Sequence, residues 1–322
     1  MSKPPSTLLQ MPWHIKQKIV AFSTPLTRLS VRRCCKTMRQ TVDSTKKMYD
    51  NVSFKVWDGT VIFTIGKETV RIRKHMDKCI IDFGRKEKLV EGVGHMEMAA
   101  NVLFTILGAP GVSVNWVYFR ISFSEKYQEL RGDRDILELK TKLHQATILK
   151  NRKLRVQNLK SEYGISQDQL MCILPSLQPG YLYYLDLELS EGLSRMDRVT
   201  ETEQWKQARK LNLKAPDFVG SKLTNFTYAL LSYPVFSVDD VRCLVEGARE
   251  NGEKFSAMWA TCAKYFNMPA ISAYLSQFTK VDQPYPFERY KIPIPNSEKH
   301  LELSIGPGLY SLGSEWTEDS ID

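Results

Sequence analysis

The chain has 322 residues, of which 43% are hydrophobic and 25% are charged, and its formal net charge is +9. These proportions exclude a disordered or fibrous chain, and the length suits about two domains. The most apolar run, Met98 to Leu107, is too short to span a membrane, and Met1 to Ser6 lacks the apolar core of a signal peptide.

The six cysteines are scattered and include no CxxC pair, and the five histidines have no metal-ligand spacing. We therefore predict a reduced intracellular protein, cytoplasmic or nuclear, that holds no metal. The chain also lacks a nucleophile elbow and a phosphate-binding loop. From these absences we predict a protein that is not an enzyme and needs no cofactor.

The positive charge is concentrated at the start of the chain. Residues 1–50 contain ten Lys or Arg and two Asp, a net charge of +8, whereas the remaining 272 residues carry +1. This distribution implies that the opening block binds an acidic partner, which is either nucleic acid or an acidic protein.

The opening block, residues 8–43, is predicted to form three short helices. Pro12 suits the first turn of a helix, and an apolar stripe of Ile15, Ile19 and Phe22 follows at helical spacing. A second helix begins at Thr24-Pro25, and a third carries Cys35, Met38 and Val42. Three such helices enclose little core. They need a second surface, which is either a partner or the rest of the same chain.

The apolar residues of this block resemble an F-box, whose pattern is Leu-Pro, spaced aliphatics, Pro, then aliphatics ending in Cys/Ser-Lys and an aromatic. The matching residues are Met11, Pro12, Ile15, Ile19, Pro25, Leu29, Val31, Cys35, Lys36, Met38 and Val42. The resemblance implies that Leu9 and all of these except Val42 contact a Skp-type adaptor, and through it a cullin. The sequence departs from the family at Trp13-His14, where Asp-Glu is usual, at Arg28, where leucine is common, and at Met38, which replaces a tryptophan.

After Val52 the pattern becomes β-rich. Ser53–Trp57 and Thr60–Ile65 flank Asp58-Gly59, which predicts a hairpin, and strands are also predicted at Thr69–Arg73 and Cys79–Phe83. Residues 87–107 and Asp133–Leu149 are predicted to be helices, the second with Ile136, Leu139, Leu143 and Ala146 on one face.

The next part of the chain alternates strands and helices. The predicted strands are Leu154-x-Val156, Leu185-x-Leu187-x-Leu189 and Leu211-x-Leu213; the predicted helices are 166–174, 200–208 and one that begins at Ser237. This order favours a parallel sheet, and the alternation of leucines with polar residues places helices on one face only, as in a leucine-rich-repeat-like sheet. Antiparallel strands are predicted at 287–294, 300–305 and 309–316, with turns at Pro295-Asn296 and Gly306–Gly308. The fold class is therefore α/β.

Residues 201–213, ETEQWKQARKLNL, resemble the EQWK-A-x-x-L-x-L signature of the FTH domain, which occurs beside F-boxes in a family expanded in nematodes. The segments LPSLQPGYLYYLDLEL (174–189) and FSVDDV (236–241) stand in the family's order. The resemblance implies a repeat-like α/β module that recruits substrates. We expect an F-box at 1–48, a connecting segment at 49–130 and an FTH-like domain at 131–322.

The polar residues between the leucines must face away from the helices, because side chains alternate along a strand. We predict that this face binds the target protein through Arg155, Asp186, Glu188, Lys210, Asn212 and Lys214. The alternative is that the face is only solvated, or that it is covered by the strands of residues 52–83.

Nucleic-acid binding is the alternative function, and it would use Arg32, Arg33, Lys36, Arg39, Lys46 and Lys47. A homeodomain-like reader has a longer recognition helix with polar residues that read bases. Cys35, Met38 and Val42 occupy that helix here. We therefore favour a substrate receptor of a Skp–cullin–F-box ubiquitin ligase, in which other subunits transfer ubiquitin.

Overall fold

The structure is a computed structural model that describes residues 8–314 except 77, 85, 218–219, 234–236, 252–256, 263–267, 282–287, 296, 298–299 and 307–308. The chain divides into two compact units. The first comprises Met1–Leu159 and Cys172–Tyr181, and the second comprises Lys160–Met171 and Leu182–Asp322. Within the described residues, no helix has the length and apolar character needed to cross a membrane.

The first unit begins with the three predicted helices. A 3-10 turn at Leu8–Gln10 precedes α1 (Trp13–Phe22), α2 (Pro25–Cys34) and α3 (Lys36–Ser44). The side chain of Thr24 accepts a hydrogen bond from the Thr27 N–H, which confirms the predicted N-cap. The block has a small core of Val20, Met38 and Val42, against which Leu8, Val31 and Cys35 pack.

A buried arginine joins the three helices. The Arg28 side chain extends from α2, and the residue is only 4% exposed. Its Nη1 donates to the Val20 carbonyl of α1 at 3.1 Å, and its Nη2 donates to the carbonyls of Val42 (3.2 Å) and Thr45 (3.0 Å) at the end of α3. Burial lowers the pKa of Arg28, but arginine remains protonated in proteins. A leucine at this position would have no donor for these carbonyls.

The sheet of the first unit has the strand order β7-β6-β1-β2-β3-β4-β5. Strand β1 pairs in parallel with β6, and β1 to β5 form an antiparallel meander. Asp58 and Gly59 have φ values of 43° and 74° in the turn between β1 and β2, which confirms the predicted hairpin. The strands are β1 (Lys47–Trp57), β2 (Thr60–Ile65), β3 (Glu68–His75), β4 (Lys78–Asp82), β5 (Glu87–Val90), β6 (Val112–Ser122) and β7 (Val156–Ser161).

The predicted start of one helix in this unit was wrong, and two strands, β5 and β6, were not predicted. Residues 87–90 form β5, paired with β4, and α4 begins only at His95 and ends at Ile106. The reason is that Gly92, at φ 72°, breaks the segment before α4. A short α5 (Glu125–Tyr127) and a π-helical turn (Gln128–Gly132) lead into α6 (Asp133–Lys150), which buries its four predicted apolar residues.

The second unit contains four parallel strands, β8 (Tyr184–Glu188), β9 (Lys210–Lys214), β10 (Tyr228–Tyr233) and β11 (Ala257–Cys262). Strands β8 and β9 correspond to predicted strands, whereas β10 and β11 were not predicted. The leucines of β8 and β9 are buried and their polar neighbours are at least partly exposed, as the alternation predicted. The helices of the alternating region are α7 (Gln167–Ile173), α8 (Asp197–Thr200), α9 (Glu203–Gln207) and α10 (Val238–Asn251). Ser237 caps α10, since its Oγ accepts from the Asp240 N–H at 3.1 Å.

The ETEQWK segment is held by its tryptophan. Trp205 is buried, donates from Nε1 to the Lys222 carbonyl at 2.9 Å, and packs edge-on against the Phe226 ring at a centroid distance of 5.1 Å. Thr202 caps α9 by accepting from the Trp205 N–H. The tryptophan therefore belongs to the core of the second unit.

The end of the chain is antiparallel, as predicted. After α11 (Met268–Leu275) come β12 (Thr279–Val281), β13 (Glu288–Pro293), β14 (His300–Gly306) and β15 (Leu309–Ser314). Strands β12 to β15 pair in sequence order, and β15 pairs with β11. The predicted strand and turn residues Phe287, Asn296, Pro307, Gly308 and Trp316 lie outside the described residues.

Replacing Arg28 by leucine is expected to destabilise the opening block by about 3 kcal/mol, because a buried polar group without a partner costs about 1–3 kcal/mol. The measurement is hydrogen exchange of the α1, α2 and α3 amides in the full-length chain. Arg33→Leu is the matched control on the same helix, since Arg33 is exposed; its effect should stay within about 0.5 kcal/mol. Equal protection in the two variants would contradict the role given to Arg28.

Candidate docking surfaces

The outer side of α1 carries an apolar stripe. Val20 is fully buried in the core of the block, and residues along a helix rotate by about 100° each, so Ile15, Ile19 and Phe22 are turned away from that core. Ile19 is 39% exposed and Phe22 is 87% exposed. Exposed apolar side chains that share one face of a helix are a candidate interaction site.

The structure separates the predicted adaptor-binding residues into two groups. One group reaches the surface, fully at Leu9, Pro12, Ile19 and Lys36 and partly at Met11, Ile15 and Leu29. The other group packs inside the block: Pro25 and Met38 are buried, and Val31 and Cys35 contact the core. In the second group, Pro25 and Met38 are enclosed by the block, whereas Val31 and Cys35 remain partly exposed.

The basic residues of the opening block also have two uses. Arg32 binds Asp43 through two hydrogen bonds, Nε–Oδ1 at 2.6 Å and Nη2–Oδ2 at 3.0 Å, and this contact raises the pKa of Arg32. Lys47 Nζ donates to the Ala21 carbonyl at 2.8 Å. Among the described residues, no carboxylate pairs with the exposed side chains of Lys18, Arg33, Lys36, Arg39 and Lys46. Arg28, Arg32 and Lys47 therefore have partners within the block, whereas the five exposed cations face outward.

The polar face of β8 and β9 in the second unit carries paired side chains. Asp186 accepts from Asn212 Nδ2 at 2.9 Å and is paired with Lys160 Nζ at 2.5 Å. Glu188 is paired with Lys214 at 2.8 Å. Asp186 and Asn212 are register partners across the two strands, as are Glu188 and Lys214. Four of the predicted target-binding residues are thus brought into contact in pairs.

Lys210 lies on the same face between two tyrosines. Its Nζ is 5.7 Å from the centroid of the Tyr183 ring and 5.6 Å from that of Tyr228, which are cation–π distances. Neither tyrosine was among the predicted target-binding residues. The tyrosine-rich run Tyr181-Leu-Tyr-Tyr184 could have indicated Tyr183. The face therefore combines charged pairs with aromatic surface.

Arg155 is placed elsewhere. It belongs to the first unit, where its guanidinium lies over the Tyr181 ring at 4.9 Å from the centroid. The face of β8 and β9 therefore has five of the six predicted residues.

The first unit buries a titratable cluster that the sequence analysis missed. Tyr127 Oη donates to Asp135 Oδ2 at 2.5 Å, and His95 Nε2 is 3.8 Å from the same oxygen. Burial and the contact with Asp135 raise the pKa of Tyr127. Although burial opposes it, the proximity of His95 and Tyr127 leaves the pKa of Asp135 below its ordinary value. His95 of α4 is 3% exposed and Asp135 of α6 is 4% exposed, whereas Tyr127 is partly exposed.

Metal binding finds no support in the part of the chain that the structure describes. There, no group of three or more His, Cys, Asp or Glu side chains is placed to hold a metal ion.

Comparison with protein-family models finds two domains. The F-box domain model matches residues 8–49, and the FTH domain model matches residues 138–273. The matches cover the opening block and the leucine-bearing strands, so they confirm the resemblance noted from the sequence. No curated protein matches the chain significantly.

Proposed function

Since this chain is an F-box protein with a C-terminal FTH domain, we propose that it is a substrate receptor of a Skp–cullin–F-box ubiquitin ligase. The F-box docks on a Skp-type adaptor and through it on a cullin, and residues 49–322 select the target protein. Other subunits transfer ubiquitin, so the contribution of this chain is to hold the target near the reacting groups.

The observation that supports adaptor docking most is the exposed stripe on α1. Among the described residues, the buried core cluster of the block is Val20, Met38 and Val42, and Ile19 and Phe22 remain outside it. Fully burying one such side chain contributes about 1.5–3 kcal/mol. A partner that covers the stripe therefore gains several kcal/mol that folding of the free chain leaves unused.

The outward charges of the block fit an acidic adaptor. Lys18, Lys36 and Arg39 are exposed and have no carboxylate partner among the described residues. Complementary charges at the rim of an interface accelerate association more than they raise affinity. We therefore expect the apolar stripe to supply most of the affinity for the adaptor and these cations to raise the rate of association.

The polar face of the second unit is proposed to bind the target through Asp186, Glu188, Lys210, Asn212 and Lys214. Its charged pairs and its tyrosines match the mixture of aromatic and charged groups found at protein–protein interfaces. A folded protein surface suits this strand face better than a small molecule, because small ligands bind in concave apolar pockets.

Nucleic-acid binding is less well supported by the geometry. Arg32 is engaged by Asp43 and Lys47 by the Ala21 carbonyl, so two of the six cations named for that function are already used. The helix α3 also has only nine residues, with Met38, Thr41 and Val42 buried.

Ile19→Asp is expected to weaken binding of a Skp-type adaptor by at least a hundredfold, because an unpaired carboxylate buried at an interface costs several kcal/mol. Since Ile19 is 39% exposed in the free chain, the variant should stay folded. Calorimetric titration with the adaptor provides the measurement. Leu137→Asp is the matched control, since Leu137 is another exposed aliphatic residue on a helix. Unchanged affinity of Ile19→Asp would refute the docking face.

The salt dependence of binding separates the two functions. Raising salt from about 50 to about 200 mM should weaken adaptor binding about tenfold or less, since apolar burial dominates. Six phosphate contacts would lose about a thousandfold over the same range. Fluorescence anisotropy with labelled adaptor and with a labelled DNA duplex measures both slopes. A tight duplex complex with the steeper slope would favour nucleic acid.

Exchanging the charges of one pair tests the target face. Glu188→Lys combined with Lys214→Glu keeps the ion pair across β8 and β9, so the thermal midpoint and adaptor binding should not change. The charge pattern presented to a target is reversed. Proteins that the Ile19→Asp variant still captures from cell extract do not depend on the adaptor, and the charge-exchange variant should fail to capture them. Quantitative comparison of the captured proteins is the measurement. Retention of the same proteins would move the target site away from this face.

A further inference from the structure

A second basic surface lies in the first unit, outside the sites described above. The run from residue 150 to 155 contains four basic residues and no acidic one. The four side chains are exposed, and none is paired with a carboxylate among the described residues: Lys150, Arg152, Lys153 and Arg155. Their charge is therefore available to a ligand.

These residues border a concave surface. Arg152, Lys153 and Arg155 line a hollow of about 450 Å³ whose other walls are Leu107–Val112 and Gln178. A neighbouring hollow of about 270 Å³ shares Gly108–Pro110 and Arg152 with the first and extends to Lys150 and Arg32. We call the two together the basic cleft. The acidic residue among the described residues that line it is Asp43, which Arg32 already engages.

The backbone that carries the four cations is fixed on both sides. The helix α6 ends at Lys150, and the left-handed φ of 47° at its C-cap, Asn151, lets the Arg152 N–H bond back to the Thr147 carbonyl. Leu154 donates to the Ser176 carbonyl at 2.8 Å and accepts from the Gln178 N–H at 2.9 Å. The Arg155 carbonyl accepts from the Val114 N–H at 2.8 Å. A ligand therefore needs to order only side chains, which keeps the entropic cost of binding low.

We propose that the basic cleft binds an acidic peptide segment of a partner protein, meaning a short stretch rich in carboxylates or in phosphorylated side chains. Arginine forms two parallel hydrogen bonds to a carboxylate or a phosphate, and the cleft presents two unpaired arginines with two unpaired lysines. Its volume admits several side chains. The four cations lie outside the F-box, although Arg32 and Asp43 of the F-box border the second hollow. The proposal does not depend on adaptor docking.

A nucleic acid fits the cleft less well. Proteins that bind single strands present aromatic faces on which the bases stack, in addition to a basic groove. Two aromatic side chains lie at the cleft: Tyr181, one face of which the Arg155 guanidinium already covers at 4.9 Å, and Phe104, which is only 2% exposed. The four cations are also crowded into six residues instead of being spread along a track. Both features favour a compact acidic segment.

The test uses the full-length chain and a fluorescein-labelled octaglutamate peptide, with anisotropy as the readout. The cleft variant combines Arg152→Gln, Lys153→Gln and Arg155→Gln. The control variant combines Lys126→Gln, Arg131→Gln and Arg134→Gln, three exposed cations of the same unit near the start of α6. We expect the cleft variant to bind the peptide at least tenfold more weakly and the control variant less than twofold. Equal losses would show a non-specific charge effect and overturn the proposal.

Three further arms fix the identity of the ligand. A peptide with four phosphoserines in place of glutamates separates phosphate from carboxylate as the preferred group, and cleft-dependent binding of either peptide supports the proposal. If a labelled octauridylate binds the cleft more tightly than both peptides, the ligand is a nucleic acid and the proposal of a peptide is overturned. Adaptor affinity should be the same for the cleft variant and the unaltered chain. A tenfold loss there would assign the cleft to the adaptor interface and contradict the proposal.

Discussion

The Arg28 guanidinium is the interaction on which the opening block depends. Burying a charge is costly unless it is fully hydrogen-bonded, and here its partners are three carbonyls near the ends of α1 and α3. Those helix ends carry the negative pole of the helix dipole, so they suit a cation. With the helices joined in this way, the block does not need Ile19 and Phe22 in its core. The arginine thus allows the apolar stripe to face outward.

The same residue shows what the sequence could and could not predict about the docking surface. The spacing of Ile15, Ile19 and Phe22 predicted that they share one side of a helix, and they do. Periodicity does not tell whether that side faces inward or outward. Arg28 stood out only as a departure from leucine, because its partners are backbone carbonyls that meet only after three helices assemble. Met38 and Pro25 were named as contacts, yet their burial gives them a supporting position.

The leucine-bearing strands were predicted well because a period of two assigns both faces at once. Leu185, Leu187, Leu211 and Leu213 are all buried, and their polar neighbours pair across the strands. In the first unit, strands β1 to β4 were also predicted, since each pairs with its neighbour along the chain, whereas β5 and β6 were not. The missed strand β6 is held by parallel pairing with β1, about 65 residues earlier in the chain. The four residues of β5 are too few to show a period of two. They were therefore assigned to the helix predicted from the apolar residues that follow them.

The net charge of the residues after the opening block does not show that two of their surfaces differ in how their charges are paired. The 272 residues after the opening block sum to +1, but the balance is not uniform. On the face of β8 and β9, Asp186 and Glu188 each have a cationic partner, whereas the four cations of the basic cleft have no carboxylate partner among the described residues. A ligand at the paired face must either complement the existing ion pairs or break them. Breaking them lowers the affinity of a partner with the wrong charge pattern, so the pairs increase specificity more than affinity. A ligand at the cleft breaks no carboxylate pair of these four cations, so under the two proposals we expect the cleft to favour rapid association with acidic chains and the paired face to favour discrimination.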